Sequence, residues 1–241
     1  MELIAFTGLR GSGKTTTCQI IKDILHDIRS VYHISFADFL RDWVRNNFGE
    51  KITALSKTRI LKDSSYDDII PIITDGNSFD LYTNLSPREL LINAGTFLRK
   101  INEDIFCIAL EHEIKNIYLE NPDNPLILID DLRFENERKW FKSIEYPTSL
   151  IMIDRIDYIP SLEDAEANDF IDYEYTDIIH TTYTYMDPLT SNECRNEVIG
   201  LLRKTTGMNI PYSNNYTIDT NLIGKHKIDI ELMKEKNPSG N

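Results

Sequence analysis

The stretch Gly8-Leu9-Arg10-Gly11-Ser12-Gly13-Lys14-Thr15 matches G-x-x-x-x-G-K-[ST], the pattern of a phosphate-binding P-loop. The glycines let the backbone curl so that successive N–H groups point at phosphate oxygens. Lys14 would reach the β- and γ-phosphates of a nucleoside triphosphate, and the Thr15 hydroxyl would ligate Mg²⁺. A second group, Asp130-Asp131-Leu132-Arg133, follows the apolar run Leu126-Ile127-Leu128-Ile129. Carboxylates at the end of a buried strand are where P-loop proteins hold Mg²⁺ or its water shell. The alternative is a pair of solvated loop aspartates. Arg88 falls in the first turn of a helix, where a cation opposes the helix dipole, and so points to an anion beside it. Asp38 and Arg41 either line a ligand-binding sheet edge or belong to a solvated helix start, where a carboxylate is favourable anyway.

These residues need elements to hold them. Leu3-Ile4-Ala5-Phe6 reads as a buried strand before the loop, and Ile20, Ile21, Ile24 and Ile28 give the helical spacing after it. Residues 31–36 read as a second strand and 37–44 as a helix start. Strand, loop, helix, strand, helix is the opening of a three-layer, doubly wound parallel α/β sheet. Ser86, Pro87 and Glu89 form a helix start with a capping box. Leu90, Ala94, Phe97, Ile101, Ile105 and Ile108 then predict one continuous buried helical face. Gly95 within it marks the close approach of a ligand or a second helix. Residues 126–129 and 150–153 read as buried parallel strands, with Arg155 at the end of the latter. Residues 192–204 read as helix, 216–218 as a last strand and 227–236 as a terminal helix. The expected organisation is one domain, 1–241. Its core is 1–48, 86–155 and 214–236, with a substrate-side lobe at 49–85 and a lid or insertion at 157–212.

Composition narrows the class. The chain has 241 residues, enough for a full core. A net charge of −13 argues against an extended nucleic-acid surface. No apolar run approaches a membrane span, and the strand-like N-terminus is not a signal peptide, so the expected location is cytoplasmic, the host cytoplasm if the chain is viral. Cys18, Cys107 and Cys194 have no metal-site spacing, and the first two read as reduced core thiols. His180 and His226 are lone histidines without a ligand pattern.

Three stretches, in order, resemble the viral and phage deoxynucleoside monophosphate kinases. They are the P-loop; Ser86-Pro87-Arg88-Glu89-Leu90-Leu91 with Gly95-Thr96 and Asp104-Ile105-Phe106; and Asp131-Leu132-Arg133-Phe134 with Asn136-Glu137. The last two are similar to that family's R-E-L-L-x-x-x-G-T and D-x-R-F-x-N-E patterns, and Phe36-Ala37-Asp38 resembles its second-strand exit. The likeness runs over residues 1–155. It implies a nucleoside monophosphate kinase fold and Mg²⁺-assisted transfer of the ATP γ-phosphoryl to a deoxynucleoside monophosphate. On the matched positions, Arg10, Gly11, Ser12, Gly13, Lys14, Thr15 and Thr16 would bind the ATP phosphates. Lys14, Arg133 and Asp131 would be catalytic, and Thr15 with Asp130 would hold the metal. Asp38, Arg41, Arg88, Gly95, Thr96 and Asp104 would form the acceptor site. Ile92 stands where the family commonly has Gln and Phe97 where it has an acid, so base selectivity is open. No Arg-rich lid follows Arg155. The expected partners are the two small-molecule substrates, without nucleic acid or membrane, and a homodimer is left open. The competing readings are a P-loop kinase of another small acceptor and a non-catalytic nucleotide-binding protein.

Overall fold

The computed structural model describes residues 1–9, 11–48, 69–74, 77–82, 87–155, 175–181 and 192–212. In chain order its elements are β1 (Glu2–Thr7), α1 (Lys14–Leu25), β2 (Val31–Ile34), α2 (Phe36–Phe48), β3 (Ile69–Thr74), β4 (Asn77–Tyr82), α3 (Pro87–Ile101), α4 (Ile105–Glu120), β5 (Leu126–Ile129), α5 (Glu135–Ser143), β6 (Thr148–Arg155), β7 (Asp177–Thr181) and α6 (Asn192–Thr206). Five strands form one sheet in the order β2-β5-β1-β6-β7, every neighbouring pair parallel. Ala5 lies opposite Ile129 on one side and Leu150 on the other, which sets β1 at the centre.

The all-parallel arrangement explains the unbroken apolar strands. Ile4, Phe6, Leu128, Ile151 and Ile153 pack with Cys18, Ile21 and Leu25 of α1 and Val198, Leu201 and Leu202 of α6. The alternate residues Leu3, Ala5, Ile127 and Ile129 are equally buried, so both sheet faces are covered. An ion pair between Arg195 of α6 and Asp23 of α1 ties the two helices of the first layer. The fold is therefore an α/β P-loop type, with helices on both faces of a parallel sheet. Among the described residues, no helix is long and apolar enough to cross a membrane.

The chain divides into two compact units, Met1–Phe39 with Asn102–Tyr216 and Leu40–Ile101 with Thr217–Asn241. The first contains the parallel sheet. The second contains most of α2, the β3-β4 antiparallel hairpin and α3. There Val44 and Ala94 pack together with Leu40, Trp43, Leu90 and Leu91.

Four expectations need correction. Strand β2 stops at Ile34 and α2 begins at Phe36, because Ser35 serves as the helix cap. Ile28 lies beyond the end of α1 and is exposed. The continuous face from Leu90 to Ile108 is two helices: the Asn102 carbonyl accepts from the N–H of Ile105 and its side chain from the N–H of Asp104, ending one helix and starting the next. Phe97, Ile101 and Ile108 are consequently exposed, whereas Ala94 and Leu98 are buried. Residues 177–181 and 192–206, assigned to a lid or insertion, supply instead the edge strand beside β6 and a helix of the core. The expected strand at 216–218, the helix at 227–236, His226 and most of the 49–85 lobe lie outside the described residues.

Gly8 and Gly11 both adopt positive φ, +136° and +77°, but for different reasons. A Cβ on Gly8 would stand 2.2 Å from the Ile153 carbonyl oxygen, whereas one on Gly11 would meet nothing within 4 Å. Gly11→Ala should therefore cost only the left-handed backbone penalty, about 1 kcal/mol. Gly8→Ala must also push β1 from β6 and should cost more than about 3 kcal/mol. Urea unfolding of the two variants compares them directly; equal losses would show that packing on β6 does not fix the loop.

Candidate functional site

The loop leaves the carboxyl end of β1 and turns through a Ser12 N–H to Leu9 carbonyl bond of 3.1 Å. Gly13, at φ +102°, forms the N-cap of α1 without any side-chain cap, and no acidic residue occupies the first turn. The first N–H groups of α1 are thus left for a ligand, at the positive end of the helix dipole.

Lys14 folds back over this loop. Its Nζ donates to the carbonyls of Gly8 and Leu9, each at 2.7 Å, and to Ser12 Oγ at 3.4 Å. Burial lowers its pKa to about 8; the Arg133 guanidinium pushes in the same direction, while Asp130 and Asp131 oppose it. Arg133 is the second cation of the site. Its backbone N–H is held by Glu137 Oε2 at 2.9 Å, and its buried Nε has no hydrogen-bond partner among the described residues. Lys14 and Arg133 therefore sit within electrostatic reach of each other, and an anion at the loop would relieve the repulsion.

Asp130 and Asp131 divide the work. Thr15 Oγ1 donates to Asp130 Oδ2 at 2.5 Å, and His33 Nε2 stands 3.1 Å from the same oxygen. Asp131 turns to α2, accepting the N–H of Phe36 on Oδ1 at 2.9 Å and that of Ala37 on Oδ2 at 2.8 Å. Loss of solvent and the neighbouring Asp130 push Asp131 up to about 7, against the pull of the Ala37 N–H and Arg133. Its contacts make it a helix cap; the catalytic role expected for it gains no support from them.

The other residues of D-x-R-F-x-N-E are structural in the same way. Glu137 Oε2 accepts the N–H of Arg133 and of Phe134, capping its own helix. Asn136 Nδ2 donates to the Glu103 carbonyl at 3.0 Å and to Asp104 Oδ1 at 3.1 Å, joining the starts of α4 and α5. The motif's acids and amide form a frame around Arg133.

Of the expected acceptor residues, Asp38 accepts the Ser35 N–H at 3.0 Å, half of a capping box on α2. This favours the helix-start reading left open in the sequence. Gly95 is explained by helix packing: a Cβ there would come 3.4 Å from Leu40 and 3.3 Å from the Arg99 guanidinium. Thr96 is exposed on α3. Arg41, Arg88, Gly95 and Thr96 belong to the second unit, and Asp104 to the first. Arg10 and the side chain of Arg88 lie outside the described residues. His33 escaped the sequence reading altogether, because its link to Asp130 depends on β2 lying beside β5.

Thr15 and Asp130 fit Mg²⁺. Both present hard oxygens, and this ion takes one or two protein oxygens and completes its shell with phosphates and water.

No known family model matches the chain, and no curated protein matches it. Among solved structures it is similar to an APS kinase from Mycobacterium tuberculosis, at TM-score 0.35 and 16% identity over 84% of this chain and 96% of that one. It is also similar to a sugar kinase from Janibacter (0.36, 11%, covering 89% and 99%) and a gluconokinase from Sinorhizobium meliloti (0.37, 15%, covering 86% and 94%). At these TM-scores the likeness carries no weight for activity; strand order and the loop define the fold.

Capping by Asp131 predicts a stability phenotype. Asp131→Ala leaves two helix N–H groups without their acceptor and should lower the unfolding free energy by about 2 kcal/mol. Denaturant unfolding measures it. A variant as stable as the parent yet inactive would return Asp131 to the catalytic group.

Proposed function

We propose that the chain is a P-loop kinase that transfers the γ-phosphoryl of ATP to a nucleoside monophosphate, with deoxynucleotides the first acceptors to test. The observation that carries this reading is the α1 N-terminus without a side-chain cap, where Lys14 folds over the loop and Thr15 bonds to Asp130, with Arg133 near enough to lower the Lys14 pKa. Phosphoryl transfer demands positioning and charge neutralisation more than covalent chemistry. The amides of residues 11–16 and Lys14 would hold the β- and γ-phosphates. Arg10, outside the described residues, would add a further cation. Arg133, framed by Asp131 and Glu137, would meet the charge that builds on the transferred group. Thr15 and Asp130 would hold Mg²⁺, which when bound neutralises phosphate charge.

The acceptor phosphate is already anionic, so no general base is needed. Arg41, Arg88 and Thr96 are the acceptor-side residues of the proposal, with Asp38, Gly95 and Asp104 shaping the backbone near them in sequence. The distinction between a nucleoside monophosphate and another small acceptor rests on the resemblance of residues 86–96 and 131–137 to the deoxynucleoside monophosphate kinases.

The test is ADP release from Mg-ATP by the purified chain against deoxy- and ribonucleoside monophosphates, with sugars and gluconate as contrasts. Turnover with one or a few deoxynucleotides is the expected result. ATP binding with no acceptor-dependent ADP release would overturn the kinase reading.

The state of Lys14 gives a second expectation. With its pKa at about 8 in the free protein, the ammonium is progressively lost above that pH. Bound phosphates favour the charged form, so binding draws a proton on. ATP affinity should hold below pH 8 and fall toward tenfold per pH unit above it. Calorimetry at pH 9 in buffers of different ionisation enthalpy should show uptake of close to one proton, absent in Lys14→Met. PH-independent affinity from 7 to 10 would mean that Lys14 does not contact the phosphates.

A further inference from the structure

His33 lies outside the two motifs yet reaches the Asp130 carboxylate, and the proposed phosphoryl transfer gives it no role. It lies on β2 opposite Leu128 of β5. Paired positions share a face, so His33 and Leu128 lie on the same side of the sheet, and Asp130 follows just past the end of β5. That face is the one packed on α1, because Leu128 and Val31 belong to the α1 cluster. The sheet thus delivers an imidazole to the same oxygen, Asp130 Oδ2, that the Thr15 hydroxyl approaches from α1: 3.1 Å on one side and 2.5 Å on the other.

We propose that His33 is a positioning residue for Asp130: its Nε2–H, with the Thr15 hydroxyl, fixes the rotation of the carboxylate that receives the Mg²⁺ of Mg-ATP. This deepens the reading above and rests on it. The terminal torsion of an aspartate is broad and weakly defined on its own. Two donors on one oxygen, arriving from different elements, remove that freedom before the ligand binds. Donors behind a metal-binding carboxylate orient it in this way, and their loss typically costs ten- to a hundredfold in metal affinity or activity. A purely structural histidine would have no reason to discriminate between nucleotide with and without metal.

Calorimetric binding of ATP, in excess Mg²⁺ and in EDTA, separates the two roles. In His33→Ala, affinity for Mg-ATP should fall by about tenfold while affinity for metal-free ATP stays unchanged. His33→Gln, whose side-chain amide can place an N–H near the Nε2 position, should restore Mg-ATP binding to within about threefold of the parent. His33→Asn, with a shorter reach, should behave as alanine does and replaces it if that variant fails to fold. Equal loss in both conditions, no loss in either, or failure of His33→Gln to rescue would overturn the proposal. Loss confined to Mg-ATP in a chain that phosphorylates no nucleoside monophosphate would sustain His33 and overturn the acceptor. A parent chain that binds no ATP would overturn both.

Discussion

Two neighbouring aspartates leave the end of one strand in opposite directions, and the site depends on that divergence. Asp130 reaches toward α1 and Asp131 toward α2. β5 ends at Ile129, and the peptide that leaves it sends its two carboxylates to different helices. One peptide therefore anchors the first turn of both helices that start at the carboxyl edge of the sheet. The P-loop helix is fixed through Thr15, and α2 through its Phe36 and Ala37 N–H groups.

The second constraint is charge. Over the whole chain acids outnumber bases by thirteen, yet the loop gathers Lys14 and Arg133. Bringing Lys14 from 10.5 to about 8 corresponds to roughly 3 kcal/mol held against its ammonium. That cost is present below pH 8 and is relieved as the lysine deprotonates between about 8 and 10.5. The Gly8 and Leu9 carbonyls accept its protons meanwhile, keeping the group satisfied but curled into its own loop. A phosphate offers a full counter-charge where those carbonyls offer dipoles. An anion at the loop would offset what burial and Arg133 hold against the Lys14 ammonium.

Much of this was legible in the residues. The P-loop, the buried strands around it and the helix after it follow from a local pattern, since glycine geometry and strand burial are decided within a few positions. The motif at 131–137 was also legible as a pattern, but its division of labour was not. Whether an aspartate caps a helix or touches a substrate depends on where a distant N–H lies, and Phe36 is ninety-five positions from Asp131. His33 was invisible for the same reason: β2 and β5 are adjacent only because the chain returns between β2 and β1. The run from Leu90 to Ile108 misled because Asn102 is inconspicuous within an apolar periodicity, although its side chain ends one helix and opens the next. Residues 177–181 showed no motif because an edge strand beside β6 needs only a short segment to pair.

The frame around Arg133 bears on what kind of protein this is. Asp131 caps α2, Glu137 caps α5, and Asn136 ties α5 to Asp104 at the start of α4. Each interaction would stabilise the fold whatever stood at position 133, and an apolar residue there would avoid burying an Nε with no partner among the described residues. A chain needing only a tightly bound nucleotide could satisfy the phosphates with the loop amides and Lys14. A second cation, framed at the same carboxyl edge of the sheet and near enough to depress Lys14, would add most where charge grows on a group in transit between two anionic molecules. Such electrostatic preorganisation favours a transition state over a ground state. On that physical ground the proposed transfer, as distinct from mere binding, turns on Arg133 rather than on the P-loop.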